Sequence, residues 1–259
     1  MNRFKGLQSI LTVALLLSAD STYAQRASSA SKPNPRVVLE RNIRAELGFL
    51  ASDAMQGRGS GTPYERIAAE YIGSLFRQFG LEPVGDEQAT GGRSFVQLPK
   101  RTIYFVCFGS EERGGRGARF FLANSPVPLE TIVADINFEM LGRPDSKVER
   151  GYLWLTGYDR SNLGPILARR GARLVADPHP EQNFFRRSDT YALALRGVVA
   201  HTVSSFGLHT DYHRPSDEIP RIDFPFLSQS ISSLIAPIRW LANSSFRPAW
   251  LPGRAPTRE

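Results

Sequence analysis

Apolar residues recur at helical spacing across 37–52, where Val38, Ile43, Leu47 and Leu50 share one side. This predicts a first helix. The polar, Gly-rich "DAMQGRGSGTP" that follows lacks the preceding strand and the Lys of a phosphate-binding loop, so it reads as a turn. Thr62 is then a fitting N-cap, with Pro63 at the first helical position and Glu65 three residues on. That helix runs to about Phe79, and Gly80 stops it. Further on, continuous apolar runs predict strands over 132–139, 152–156 and 198–203, interleaved with helices over 162–170, 188–196 and 224–241. Strands alternating with helices indicate an α/β sheet covered on both faces. No internal repeat or second-domain boundary interrupts 37–259.

One join breaks the pattern. Two strand-like runs, SFVQLP and RTIYFVCF, adjoin directly. Neighbouring parallel strands need a crossover of about a dozen residues or more. Pro99-Lys100 is also a poor two-residue hairpin turn, because the favoured types need positive φ. A segment is therefore expected to be missing near 99–101, with strands lost from the middle of the sheet.

The N-terminus changes the picture of where the chain works. Arg3 and Lys5 precede a short apolar run from Leu7 to Ala19, and Thr22-Tyr23-Ala24 follows. This is a secretory-signal pattern over 1–24, too short to span a bilayer, with a mature chain expected from Gln25. Residues 25–36 form a polar linker. Localisation is expected to be secreted or periplasmic, without a stable membrane anchor. The single cysteine, Cys107, lies in an apolar run and is expected to be buried, so stability rests on the core or a metal and not on disulfides. The formal charge is +7, carried almost wholly by scattered Arg. Without a dense basic run or interleaved aromatics, nucleic acid is not the expected partner.

Sheets of this class place their sites at the C-terminal ends of strands. Three candidates fall there: Glu111-Glu112 after the RTIYFVCF run, Glu139 at the end of 132–139, and His213 in the loop after 198–203. Glu, Glu and His converging on one edge is a metal-site composition. Adjacent glutamates can divide the work, one ligating and one moving a proton. Each also has a plain role: a solvated loop pair, an ion pair to Arg for Glu139, a hydrogen bond to a carboxylate such as Asp217 for His213. His209 lies four residues from His213, but Pro215 and polar neighbours make that stretch a loop. His201 alternates within a strand and reads as packing.

Taken together, "RTIYFVCFGSEERGGRGARFF", "INFEMLGR", "RRSDTYALALRG" and "GLHTDYHRPSDEIPRID" resemble, in order, the blocks of the zinc aminopeptidase family. That family includes bacterial leucyl aminopeptidase and aminopeptidase Y, with glutaminyl cyclases as cousins. The resemblance covers about 37–240 and implies a three-layer zinc-exopeptidase-like fold with a mostly parallel central sheet. It further implies hydrolysis of N-terminal residues from peptide substrates and two zinc ions. At matching positions it implies Glu111 as general base, Glu112 and His213 as ligands of one zinc, Glu139 as a ligand of the other, and Asp217 as a partner orienting His213. Asp189 matches a position near the family's site without an assigned role.

Two family elements are missing, a strand ending in His-x-Asp and a turn whose Asp bridges both metals. All four histidines, His179, His201, His209 and His213, follow the Glu-Glu motif, and no Asp-Asn pair occurs. The gap falls at the abrupt join. The expectation is a metallo-aminopeptidase by family whose own activity is in doubt. The alternatives are a catalytically silent binding domain and a truncated gene product.

Overall fold

The computed structural model describes residues 37–84, 94–97 and 100–257; the expected signal segment and linker lie outside them. Six helices run α1 (Glu40–Leu50), α2 (Pro63–Gln78), α3 (Arg116–Ala123), α4 (Leu163–Arg169), α5 (Thr190–Ala194) and α6 (Phe224–Asn243). Seven strands run β1 (Glu82–Val84), β2 (Ser94–Gln97), β3 (Ile103–Phe105), β4 (Asp135–Phe138), β5 (Leu153–Leu155), β6 (Leu174–Ala176) and β7 (Ala200–Ser204). The expected elements of the C-terminal half are present, most of them shorter, although α6 runs on to Asn243 and β7 to Ser204; β6 was not expected. Residues 53–58 form a single irregular turn in which Gln56, Gly57 and Arg58 take positive φ, and Met55 anchors it in the interior.

The main sheet has the order β4-β7-β5-β6. The β4–β7 and β5–β6 pairs are parallel and β7–β5 is antiparallel. The core lies on β5 and β7, every residue of which is buried. Leu153 and Leu155 pack with Leu163 and Leu167 of α4 and with Phe226, Leu234 and Leu241 of α6. Strand β5 reads as a continuous apolar run because it is buried on both faces, whereas β7 also buries His201, Thr202 and Ser204, each hydrogen-bonded. Helix α1 docks on α6 through Ile43, Phe224 and Leu227.

The abrupt join is resolved as a hairpin. Strands β1, β2 and β3 form a separate antiparallel sheet, with Gln97 opposite Ile103. Because Gln97 pairs with Ile103, the two strands are not joined by a two-residue turn. The correction has a cost for the main sheet. The apolar run was expected to continue as strand to Phe108, yet β3 ends at Phe105 and 106–110 carry no strand. Cys107 is accordingly exposed instead of buried. Helix α2 also finds little to cover it: only Ala68 and Gly73 are buried, while Ile67 is 44% exposed.

The hairpin loop is tied to the end of α6. Arg101 donates through Nη1 to the carbonyls of Leu241 (3.1 Å) and Phe246 (2.6 Å), and its backbone N–H donates to Ala242 (3.0 Å). A cation on the exposed carbonyls of a helix C-terminus is favourable. Replacing Arg101 with Met keeps the stem and removes the charged donor. We expect a loss of about 1–3 kcal/mol in urea unfolding, the range for hydrogen bonds made by a charged group.

Candidate active site

Glu111 and Glu112 occupy a tight turn, Glu111–Arg113, entered through Ser110 at φ 56° and left through Gly114 at φ 87° and Gly115 at φ 64°. The two glycines supply the left-handed backbone that aims the carboxylates before α3 begins. Gly117 is required for a different reason: a Cβ there would lie 2.5 Å from the Gly109 carbonyl oxygen.

Glu139 follows β4, its N–H donating to the Val203 carbonyl of β7 at 3.2 Å. Met140 then turns the chain at φ 54°. The loop after β7 brings His213 back, stacked on Tyr212 with ring centroids 3.8 Å apart. His213 Nε2 lies 2.7 Å from Glu112 Oε1. Two of the expected ligands of one metal therefore meet, across 101 residues of sequence. Both are largely exposed, so the contact itself adds little stability.

The other residues gather around this pair. Burial raises the Glu111 carboxyl, as does Glu112, while His213 and Arg187 oppose the shift. Burial, and after it Glu111, lifts Glu139 to about 7, although Asn137 donates to its Oε2 at 3.2 Å. Asp189, immediately before α5, is 8% exposed with Oδ1 unpartnered, and burial followed by Glu111 lifts it to about 6. Asp135 retains some surface, but its Oδ2 is sealed off without a partner, and burial followed by Asp189 lifts it to about 7.

Asp217 has a different partner from the one expected. It accepts from Arg143 Nη2, while Arg143 Nη1 donates to Asp211 at 2.8 Å. Arg143 thus clamps two carboxylates flanking His213 and holds the loop, not the imidazole ring. His201 is packing: fully buried, it contacts Ser161 Oγ and the Thr156 carbonyl, each at 2.7 Å, and burial lowers it to about 4. His209 lines an open cleft of about 310 Å³ with Arg187, Phe206 and Tyr212. Asp135 and Arg187 were not singled out in the sequence. Asp135 had a signal there, since Asp135, Asn137 and Glu139 place three polar residues at period two within an apolar strand.

Glu112 and His213 supply two metal donors in contact. Among the described residues, no group of three or more His, Cys, Asp or Glu side chains is placed to hold a metal ion. A catalytic zinc takes about three protein ligands and a water. The residues present do not fit a complete zinc site.

The main sheet thus carries Glu139 at the end of β4 and His213 in the loop after β7, and the Glu111-Glu112 turn meets them from outside that sheet. Residues 89–236, more than half of the chain, match the model of peptidase family M28, and the chain belongs to that family. Among solved structures it is similar to the LapA aminopeptidase of Legionella pneumophila, with 15% identity, a TM-score of 0.61, and coverage of 94% of this chain and 78% of that one. It also matches BSAP, a zinc aminopeptidase from Bacillus subtilis, at 19% identity and TM-score 0.45, covering 57% of this chain and 38% of that one. A third match is the aminopeptidase from Aneurinibacillus sp. strain AM-1, at 18% identity and TM-score 0.42, covering 61% and 36%. The chain thus spans little more than a third of the length of the last two. The likeness to LapA is one of fold. No curated protein sequence matches.

Asp135 allows a test of how the fold holds unneutralised acid. An unfolded aspartate titrates near ~3.9, whereas folded Asp135 titrates at about 7. Below the lower value both states hold the proton and there is no cost. As pH rises between the two values, the unfolded chain releases its proton and the folded chain retains it, so stability falls. Above the upper value the cost is constant. We expect Asp135→Asn to gain stability over the parent from pH 5 to 7 and to hold that gain at pH 8, measured by urea unfolding at each pH.

Proposed function

We propose that the chain is an exported, aminopeptidase-type M28 domain in which Glu111 is the proton acceptor and Glu112, His213 and Glu139 are the remaining zinc donors. As it stands, the domain holds zinc loosely and turns over little or no substrate. The observation carrying this reading is the 2.7 Å contact between Glu112 and His213, with no third donor grouped with them among the described residues. The environment of Glu111 suits a base. It is partly buried among other carboxylates, which raises its proton affinity while it stays close to the metal-ligand pair. The two-donor geometry also favours a second reading, a silent peptidase-like domain that binds without cleaving.

Zinc content and turnover test both readings against an active enzyme. In equilibrium dialysis at micromolar free zinc, we expect less than one ion per chain. Hydrolysis of an aminoacyl-anilide should match that of Glu111→Gln. Stoichiometric zinc, with chelator-sensitive turnover lost in Glu111→Gln, would establish an active enzyme and defeat the silent reading.

Export is supported by the charged, apolar and small-residue order of residues 1–24. Among the described residues no helix is long and apolar enough to cross a membrane. Intact-mass and N-terminal analysis of the protein from a secreting host should show a chain beginning at Gln25. A chain retaining residues 1–24 would contradict export by this signal.

A further inference from the structure

Strand β4 is an edge of the main sheet, and among the described residues the backbone groups on its outer side have no hydrogen-bond partners. Asp135 and Glu139 donate their N–H groups to Val199 and Val203 of β7. By the two-residue alternation of a parallel ladder, the N–H and C=O groups of Ile136 and Phe138 therefore face away from β7. Phe138 is 43% exposed, and the apolar run that ends at Phe108 leaves strand geometry at Phe105 without pairing here. An unpaired edge is a template for a further strand.

Charge narrows the occupant. The chain carries +7 overall, yet Asp135 and Glu139 share one face of β4, Asp189 is coupled to both, and Glu111 and Glu112 join them at the Glu139 end, near Arg187 and His213. Asp189 is nine-tenths buried and its Oδ1 has no partner. A second copy of β4 is a poor occupant, because the centred antiparallel register sets Asp135 of one copy opposite Glu139 of the other, like against like. A strand bearing a cation on that face has the complementary sign, and apolar residues on its other face would lie beside Ile136 and Phe138.

We propose that the free edge of β4 docks an extended peptide segment of a partner protein by strand addition, with a Lys or Arg side chain directed at the carboxylates. This goes beyond the hydrolytic reading, since it needs neither a free amino terminus nor zinc.

The test is fluorescence anisotropy in EDTA with the dye-labelled peptide acetyl-Thr-Val-Lys-Val-Thr. Its Thr and Lys side chains share the carboxylate face, and its Val residues meet Ile136 and Phe138. We expect saturable binding. Lys→Glu in the peptide should weaken it by about tenfold or more, and N-methylation of both Val residues should do the same by removing the main-chain donors. Phe138→Pro, which removes an edge N–H where Pro is tolerated, should abolish binding with the circular dichroism retained; if that variant fails to fold, the two peptide variants decide alone. No saturable binding, or equal binding of the altered peptides, overturns the proposal. Self-association in sedimentation equilibrium that the peptide does not reverse assigns the edge to a second copy and also overturns it. Because the peptide is acetylated and the buffer free of metal, either failure leaves the zinc and turnover results standing.

Discussion

Four residues of β4 lie parallel to β7, from Asp135 opposite Ala200 to Phe138 opposite Val203, so that the two strands run toward the same end of the sheet. Glu139 is the first residue past that pairing, and its N–H is still held by Val203. The chain leaving β7 is the one that returns His213. This short ladder therefore places a carboxylate and an imidazole at one end of the sheet, although 74 positions separate them in the sequence. Ser188, Asn137 and Thr202 brace it from one face through side-chain hydrogen bonds.

The Glu111-Glu112 turn has no such ladder. It is held by glycines, by Gly115 N–H donating to the Glu111 carbonyl at 2.8 Å, and by α3 against α5. Its carboxylates reach the site from the side, and Glu112 meets His213 where both are exposed. The buried acids, Asp135, Asp189 and Glu139, are the ones lifted furthest toward neutrality. The site therefore concentrates negative charge in its interior while its one carboxylate–imidazole contact lies outside. A bound cation would relieve the interior acids, but the donors in contact lie elsewhere, which is why charge alone does not make a metal site here.

Much of this was legible in the sequence where local rules decide. The N-cap Thr62 with Pro63, the stop at Gly80 with φ 74°, and the buried β5 and β7 follow from capping, glycine conformation and burial. The four residues Glu111, Glu112, Glu139 and His213 were singled out because strand ends collect sites and because the blocks resemble a family, and the structure brings Glu112 and His213 into contact. What was not legible depended on pairing. The run RTIYFVCF has the composition of a buried central strand, yet only Ile103–Phe105 form a strand and its partner is β2 in a second sheet, a pairing that composition does not reveal. Cys107 followed that change of partner to the surface. The pairing of Asp217 with Arg143 was not legible for a similar reason, because proximity in sequence to His213 carries no information about a residue 74 positions away.

The open edge of β4 and the incomplete metal site have a common physical origin. A parallel strand beside β4 would bond the outward groups of Ile136 and Phe138, and the turn at its end would enter the site from the sheet instead of from the side. Val106 to Phe108 carry no strand beside this edge, and the carboxylates that follow are positioned by the Glu111–Arg113 turn and by α3 packed on α5. The helix faces that such strands would cover are exposed too, as Ile67 and Phe79 of the α2 region show at 44% and 68%. Restoring ligands one at a time by substitution would thus leave the donors unaligned, because alignment comes from the ladder and not from the side chains it carries.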